Sequence, residues 1–283
     1  MPVLTRPFGS TNRPVSVIGQ GTWNLDHTSR AAAADTLRRG LDLGMNHLDT
    51  AEMYGSGAAE AIVGDAISGR RADAFVVSKV LPGNASRQNT LQACERSLKQ
   101  LRTDYLDAYL LHWRGRFPLA ETFAAFEDLR AAGKILSWGV SNFDVDDLDE
   151  ALRISDPGTI ACNQVLYYPD ERAIEHAVIP WCERNGVAVV AYSPFGSGNF
   201  PRPGTPARKV LDDIAWSHEV TARQVALAFL TRNPAVFAIP KSASPAHTED
   251  NAAAASLELT AADFQRLEKA FPRGPQPRSL PMI

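Results

Sequence analysis

The sequence predicts an α/β fold, a single (β/α)8 TIM barrel, on three observations. Eight strand-like runs alternate with helix-period segments along 283 residues, the order that builds a parallel sheet covered by helices. The runs are nearly continuous in apolar residues, as strands buried on both faces are. The chain is also close to the roughly 250 residues that a closed barrel of this kind uses.

The elements follow in order. Gly9-Ser-Thr-Asn12 is a turn signal between Val3-Leu4 and Val15-Ser-Val-Ile18, and it predicts a short N-terminal β-hairpin. Barrel strands are predicted at 15–19, 45–49, 74–79, 106–112, 135–140, 160–164, 187–192 and 237–239. Amphipathic helices are predicted between them, at 30–43, 58–67, 90–101, 119–132, 146–154, 173–185 and 222–231. Gly44, Gly69, Gly133 and Gly186 stand where helices end, at the left-handed position that glycine suits. A doubly wound sheet would instead want a glycine fingerprint after its first strand. Gly19-Gln-Gly21-Thr-Trp-Asn24 lacks the third glycine. The Pro/Gly-rich stretch 195–206 reads as a long loop, with an extra helix at 207–218. The tail 272–283 holds four prolines and reads as irregular, either draped over the barrel mouth or disordered. With no repeat and no low-complexity linker, residues 1–283 are expected to form one domain.

Composition excludes several classes. A net charge of -3 offers no basic field for nucleic acid and no polybasic membrane patch. Cys94, Cys162 and Cys182 are too few and too scattered for a disulfide framework or a zinc site, and read as buried thiols in a reducing compartment. Met1-Pro-Val-Leu-Thr-Arg-Pro-Phe8 has no apolar signal-peptide region, so a cytoplasmic location is expected. No metal is expected, and a monomer is expected rather than an oligomer.

Three predicted strands close on polar residues. Asp49 ends Met45-Asn-His-Leu-Asp49, Lys79 ends Phe75-Val-Val-Ser-Lys79, and His112 ends Tyr109-Leu-Leu-His112. Tyr54 follows Asp49 by one loop. Alone, the lysine reads as a solvated cap, the aspartate as a turn cap, and the histidine as a satisfied core group. In a barrel, however, the C-terminal strand ends share one rim, and that rim carries the active site. A phenol beside an ammonium is a proton donor, and the ammonium is expected to lower its pKa. Asp49 would hold the cation, and His112 would orient a carbonyl oxygen. This quartet suits protonation of a developing alkoxide. No side chain supplies hydride, so a nicotinamide is required.

Leu48-Asp-Thr-Ala-Glu-Met-Tyr-Gly-Ser-Gly-Ala-Ala-Glu60 resembles the first signature of the aldo-keto reductase family, and Ile239-Pro-Lys-Ser242 resembles its third. Between them Leu110-Leu-His-Trp113, Trp138-Gly-Val-Ser-Asn142, Cys162-Asn-Gln164 and Ala191-Tyr-Ser-Pro194 fall in the family's order. The similarity runs from Gly19-Gln-Gly-Thr-Trp23 to Asn251. It implies that Tyr54 is the general acid, that Lys79 and Asp49 tune it, and that His112 orients the carbonyl. It further implies NADPH as cofactor. Gly21, Thr22, Trp23 and Asp49 would lie at the cofactor; Ser141, Asn142 and Gln164 would hold the carboxamide, and Tyr192 would stack on the nicotinamide. Ser193, Pro194, Phe195 and Gly196 resemble the loop over the pyrophosphate.

Ile239, Pro240, Lys241 and Ser242 match the segment that anchors the 2′-phosphate, and Asn251 matches an adenine contact. The chain departs from the family where many members have arginine, with His247, and where many have glutamate, with Asp250. Histidine cannot form a bidentate fork. The resemblance therefore implies NADPH use with weakened 2′-phosphate binding, NADH use being possible. Trp23 and Trp113 resemble aromatics flanking the substrate pocket beside Tyr54 and His112, core or rim packing being the other reading of the two indoles. Leu111-His-Trp-Arg-Gly115 resembles small bacterial members that accept methylglyoxal and other short or aromatic aldehydes. Three other readings stay open: a cofactor-sensing regulatory protein with slow turnover, a barrel aldolase with a Schiff base on Lys79, and a degraded reductase with a structural role.

Overall fold

The computed structural model describes residues 3–283; Met1 and Pro2, which open the segment without signal-peptide character, lie outside them. The described chain begins with an antiparallel hairpin of β1 (Thr5–Pro7) and β2 (Pro14–Ser16), Thr5 opposite Ser16 and Pro7 opposite Pro14. Its first arm thus starts later than Val3-Leu4. The hairpin carries Phe8 into the N-terminal mouth of the barrel. Its ring meets Phe75 at 4.8 Å and Phe237 at 5.1 Å between centroids.

Eight parallel strands follow: β3 (Gln20–Gly21), β4 (His47–Asp49), β5 (Phe75–Val80), β6 (Ala108–Leu111), β7 (Trp138–Ser141), β8 (Ile160–Leu166), β9 (Ala188–Tyr192) and β10 (Val236–Ala238). They pair in chain order from β3 to β10. Bridges from Ile18 to Ala238 and from Gly21 to Lys241 bring the last strand back to the first. There the Gly21 amide donates to Pro240 O at 3.1 Å. A Cβ on Gly21 would lie 2.6 Å from Ile239 O, so this seam requires glycine.

The first barrel strand is therefore not the run 15–19. Val15 and Ser16 belong to the hairpin, parallel bridging to β10 begins at Ile18, and the ladder with β4 begins at Gln20. A continuous apolar run does not reveal where a strand changes partner and direction.

The helices are α1 (Arg30–Asp42), α2 (Ala58–Ala66), α3 (Arg87–Leu101), α4 (Leu119–Ala131), α5 (Val145–Ile154), α6 (Val178–Asn185), α7 (Pro206–Ser217), α8 (Ala222–Leu230), α9 (Pro245–Ala253) and α10 (Ala261–Ala270). Local chemistry sets several starts. Ser86 accepts from the Asn89 amide and begins α3 a turn before residue 90. Thr221 with Gln224, and Thr260 with Asp263, form capping boxes for α8 and α10. The predicted helix 173–185 is divided into a 3-10 turn, Ala173–Glu175, and α6. Pro180 is tolerated only in a first turn, which requires α6 to begin close before it. Gly44, Gly69, Gly133 and Gly186 all have positive φ, as their positions predicted. Residues 272–283 form no helix or strand.

Two apolar layers result. Phe8, Phe75, Val77, Leu110, Val190 and Phe237 fill the barrel interior, while a larger cluster joins the outer strand faces to the helices. Inside the barrel His47 is fully buried, and among the described residues neither ring nitrogen has a hydrogen-bond partner. Phe8 and Phe75 meet it edge-on at 5.6 and 5.8 Å. Burial lowers its pKa from 6.5 to about 4; Asp49 opposes this and Lys79 adds to it. The folded protein thus binds this proton less readily than the unfolded chain. Its contribution to stability is whole above pH 6.5 and is lost as pH falls toward about 4, a difference of about 3 kcal/mol. Denaturant unfolding at neutral and acid pH is expected to show a smaller loss in His47→Leu than in the parent. Equal losses would remove His47 from this role.

Candidate active site

The C-terminal strand ends hold the polar side chains. Asp49 is the last residue of β4, Lys79 stands one before the end of β5, and His112 follows the end of β6. Lys79 Nζ donates to Asp49 Oδ1 at 2.6 Å, to Thr50 O at 2.8 Å and to Tyr54 Oη at 3.4 Å. The Tyr54 and His112 rings meet edge-on at 5.8 Å. The four predicted groups therefore converge. Lys79 and Asp49 are both buried, and the second Asp49 oxygen accepts from Gln164 Nε2 at 2.7 Å.

Tyr54 is carried by an unusual turn. Gly55, Ser56 and Gly57 have φ of 55°, 53° and 92°, three left-handed residues in succession. Non-glycine residues pay about 1–2 kcal/mol for that conformation. Asn142 and Ser193, at the ends of β7 and β9, are left-handed as well. Such positions gather at functional rims because surrounding structure must hold them.

The electrostatics separate the roles. Burial alone would lower the Lys79 pKa, but Asp49 and Tyr54 outweigh it and the net shift is upward, so the ammonium stays charged. Burial raises the Tyr54 pKa and Lys79 offsets only part of that. The expectation that the cation would bring the phenol below its ordinary value is overturned, because desolvation at this depth is the larger effect. Burial, then Lys79, lowers His112 to about 3. Its imidazole is neutral at physiological pH and carries one N–H. Its Nδ1 has no partner among the described residues.

A polar chain crosses the next three strands. Tyr192 Oη donates to Asn142 Oδ1 at 2.9 Å. Asn142 Nδ2 donates to His112 O at 3.1 Å and to Ser141 Oγ at 3.2 Å. Ser141 Oγ donates to Gln164 O at 2.8 Å.

Three cavities open at this end. One of about 240 Å³ is lined by Gly21, Thr22, Trp23, Asp49, Tyr54, Tyr192, Ser193, Pro194, Phe195, Ile239 and Lys241, together with Asn24 and Ser197. A smaller one of about 80 Å³ is lined by Trp23, Tyr54, His112, Trp113, Ser141, Asn142, Gln164 and Tyr192. Met53 and Ile283 complete it, so the tail reaches the barrel mouth. A third, of about 430 Å³, continues outward past Phe195 and Lys241 to His247, Asp250 and Asn251.

Gly196, Pro240 and Ser242 line none of these. Ser242 Oγ donates instead to Ser244 O at 2.8 Å and shapes its own loop. Sequence reasoning did not assign Met53, Asn24, Ser197 or Ile283 to the site: the first two lie in quoted segments without a role of their own, and the last two lie in stretches read only as loop and tail. It also missed the Asp49 contact of Gln164, for which nothing local gives a signal.

The chain matches the aldo/keto reductase family over residues 17–271. It is 44% identical over 268 residues to the methylglyoxal reductase YeaE of Escherichia coli (strain K12), covering 94% of each chain. It is 30% identical over 265 residues to the glyoxal reductase of Bacillus subtilis (strain 168), covering 93% of this chain and 92% of the relative. Among solved structures it resembles an aldo-keto reductase from Klebsiella pneumoniae in complex with NADPH, with a TM-score of 0.93, 42% identity and 100% of both chains covered.

Proposed function

The chain belongs to the aldo/keto reductase family, and from that membership we propose that its preferred substrates are small aldehydes of the methylglyoxal type, with Tyr54 delivering the proton. It is an oxidoreductase that reduces carbonyl compounds with NADPH. One observation supports the proton role above the rest. Lys79 Nζ lies between a buried carboxylate at 2.6 Å and the Tyr54 hydroxyl at 3.4 Å.

The residues fit a dinucleotide. The first and third cavities share Phe195 and Lys241, which makes one elongated cleft with catalytic groups at one end and cations at the other. Ser141, Asn142 and Gln164 would hold the carboxamide end, Tyr192 would face the ring, and Lys241 would lie toward the phosphates. NADPH, when bound, supplies the hydride.

The chain's own residues do the rest. Tyr54 keeps its proton at neutral pH as an ordinary phenol does, and burial raises its pKa further, so the proton is available when an alkoxide needs it. Lys79 remains charged and stabilises the phenolate left behind. Neutral His112 donates its single N–H toward the substrate oxygen. Trp23, Met53 and Trp113 wall a space of about 80 Å³, which suits a short carbonyl compound and carries no guanidinium clamp for an acidic sugar.

The test is a panel of methylglyoxal, a nitrobenzaldehyde and a keto-acid, followed by loss of NADPH absorbance. Turnover is expected to be highest with methylglyoxal or the aromatic aldehyde. Tight NADPH binding without turnover of any member would favour a cofactor-sensing role instead.

A further inference from the structure

We propose that Arg223, the second residue of α8, is the cation that recognises the 2′-phosphate in this chain and sets its preference for NADPH over NADH. The inference rests on the NADPH reading above. It starts from the third cavity, where Lys241 and three arginines, Arg202, Arg208 and Arg223, face a single carboxylate, Asp250. That carboxylate is engaged by the Thr221 hydroxyl at 3.0 Å. The cavity therefore has a surplus of positive charge that its own residues do not neutralise.

The cations differ in freedom. Arg208 Nε is held by Asp212 at 2.7 Å. Arg202 lies in an irregular loop segment, and among the described residues its side chain has no hydrogen-bond or ion-pair partner. Arg223 sits on a helix. Its guanidinium carbon lies 5.6 Å from the Phe195 ring centroid and 5.4 Å from that of Phe200. Among the described residues it makes no ion pair or hydrogen bond, so its donors are left over. The two rings set its plane without using them.

Its place in the helix points the same way. A cation in a first turn faces the positive end of the helix dipole, an unfavourable position unless an anion comes to it. A guanidinium fork matches a phosphate with two parallel N–H donors. The imidazole of His247, on the same cavity, offers at most one donor to it. Arg223 thus offsets the loss that His247 would otherwise cause, from a helix that the family signature does not include.

The test is titration of the full chain with NADPH, NADH, 2′-AMP and 5′-AMP, read by quenching of intrinsic tryptophan fluorescence and by competition. Arg223→Gln is expected to raise the NADPH Kd at least about twentyfold while moving the NADH Kd less than about twofold. It should also abolish any advantage of 2′-AMP over 5′-AMP. Arg223→Lys should fall between, because it keeps the charge and loses the fork. His247→Ala should change NADPH binding less than about threefold. Equal losses for both cofactors in Arg223→Gln, or a larger loss in His247→Ala, would overturn the inference. A parent protein that binds no NADPH at all would instead sink the reading on which it rests.

Discussion

Tyr54→Phe is expected to lower kcat for aldehyde reduction by about three orders of magnitude and to leave NADPH affinity within about threefold. General acid catalysis by a positioned group is worth about 10²–10⁴ in rate, and here no second acid stands ready. His112 is neutral with a pKa of about 3, and Lys79 is held by Asp49. The substitution removes one hydroxyl and keeps the ring that meets His112 at 5.8 Å, so packing should survive. Stopped-flow binding and steady-state rates on the same preparation separate the two effects. Retained turnover would take Tyr54 out of the proton path. The raised phenol pKa adds a pH signature. Reduction should stay level from neutrality through about pH 9 and fall only above the ordinary phenol range.

Lys79→Met is expected to be the most damaging single change to the molecule. It removes the partner of a buried carboxylate and leaves Gln164 as the remaining side-chain donor to Asp49, at 2.7 Å. Breaking a buried ion pair from one side costs about 3–5 kcal/mol. Turnover should vanish as well, because the phenolate would form with no cation beside it.

The double variant Lys79→Met/Asp49→Asn separates these consequences. Stability measured by urea unfolding should largely return, since the stranded charge is gone, while activity should not. If the single variant unfolds at the same urea concentration as the parent, the pair is not the internal charge couple described here. The same electrostatics bear on the aldolase alternative. A Schiff base needs a neutral amine, whereas Asp49 keeps Lys79 protonated, so borohydride with substrate should trap nothing on it.

The barrel was legible because alternation of apolar runs with helical periods survives small errors at element ends. The rim was legible because Asp49, Lys79 and His112 each close a strand, and strand ends in a barrel share one side. What could not be read depended on distant partners. The run 15–19 looks like one strand, yet its first half pairs with β1 and its continuation with β10. Helices α9 and α10 bury few side chains, so their apolar stripes are too thin to stand out. The proton affinity of Tyr54 was misjudged for a related reason. A neighbouring lysine is visible in a motif, but the depth of burial that outweighs it is a property of the folded whole. Arg223 was missed because its importance comes from two rings and a cavity, and no feature of Thr221-Ala-Arg-Gln224 announces them.

The junction between the first and last strands has a consequence for motion. β3 is two residues long, and the chain meets β10 there through isolated bridges rather than a full ladder. Gly21 and Lys241, on its two sides, both line the cleft assigned to the dinucleotide. A ligand lying across them would act as a clasp on the thinnest-stitched part of the wall. Deuterium uptake at the amides of Gly19, Gly21 and Ala238 should be among the fastest in the sheet in the free protein, and should slow selectively on saturation.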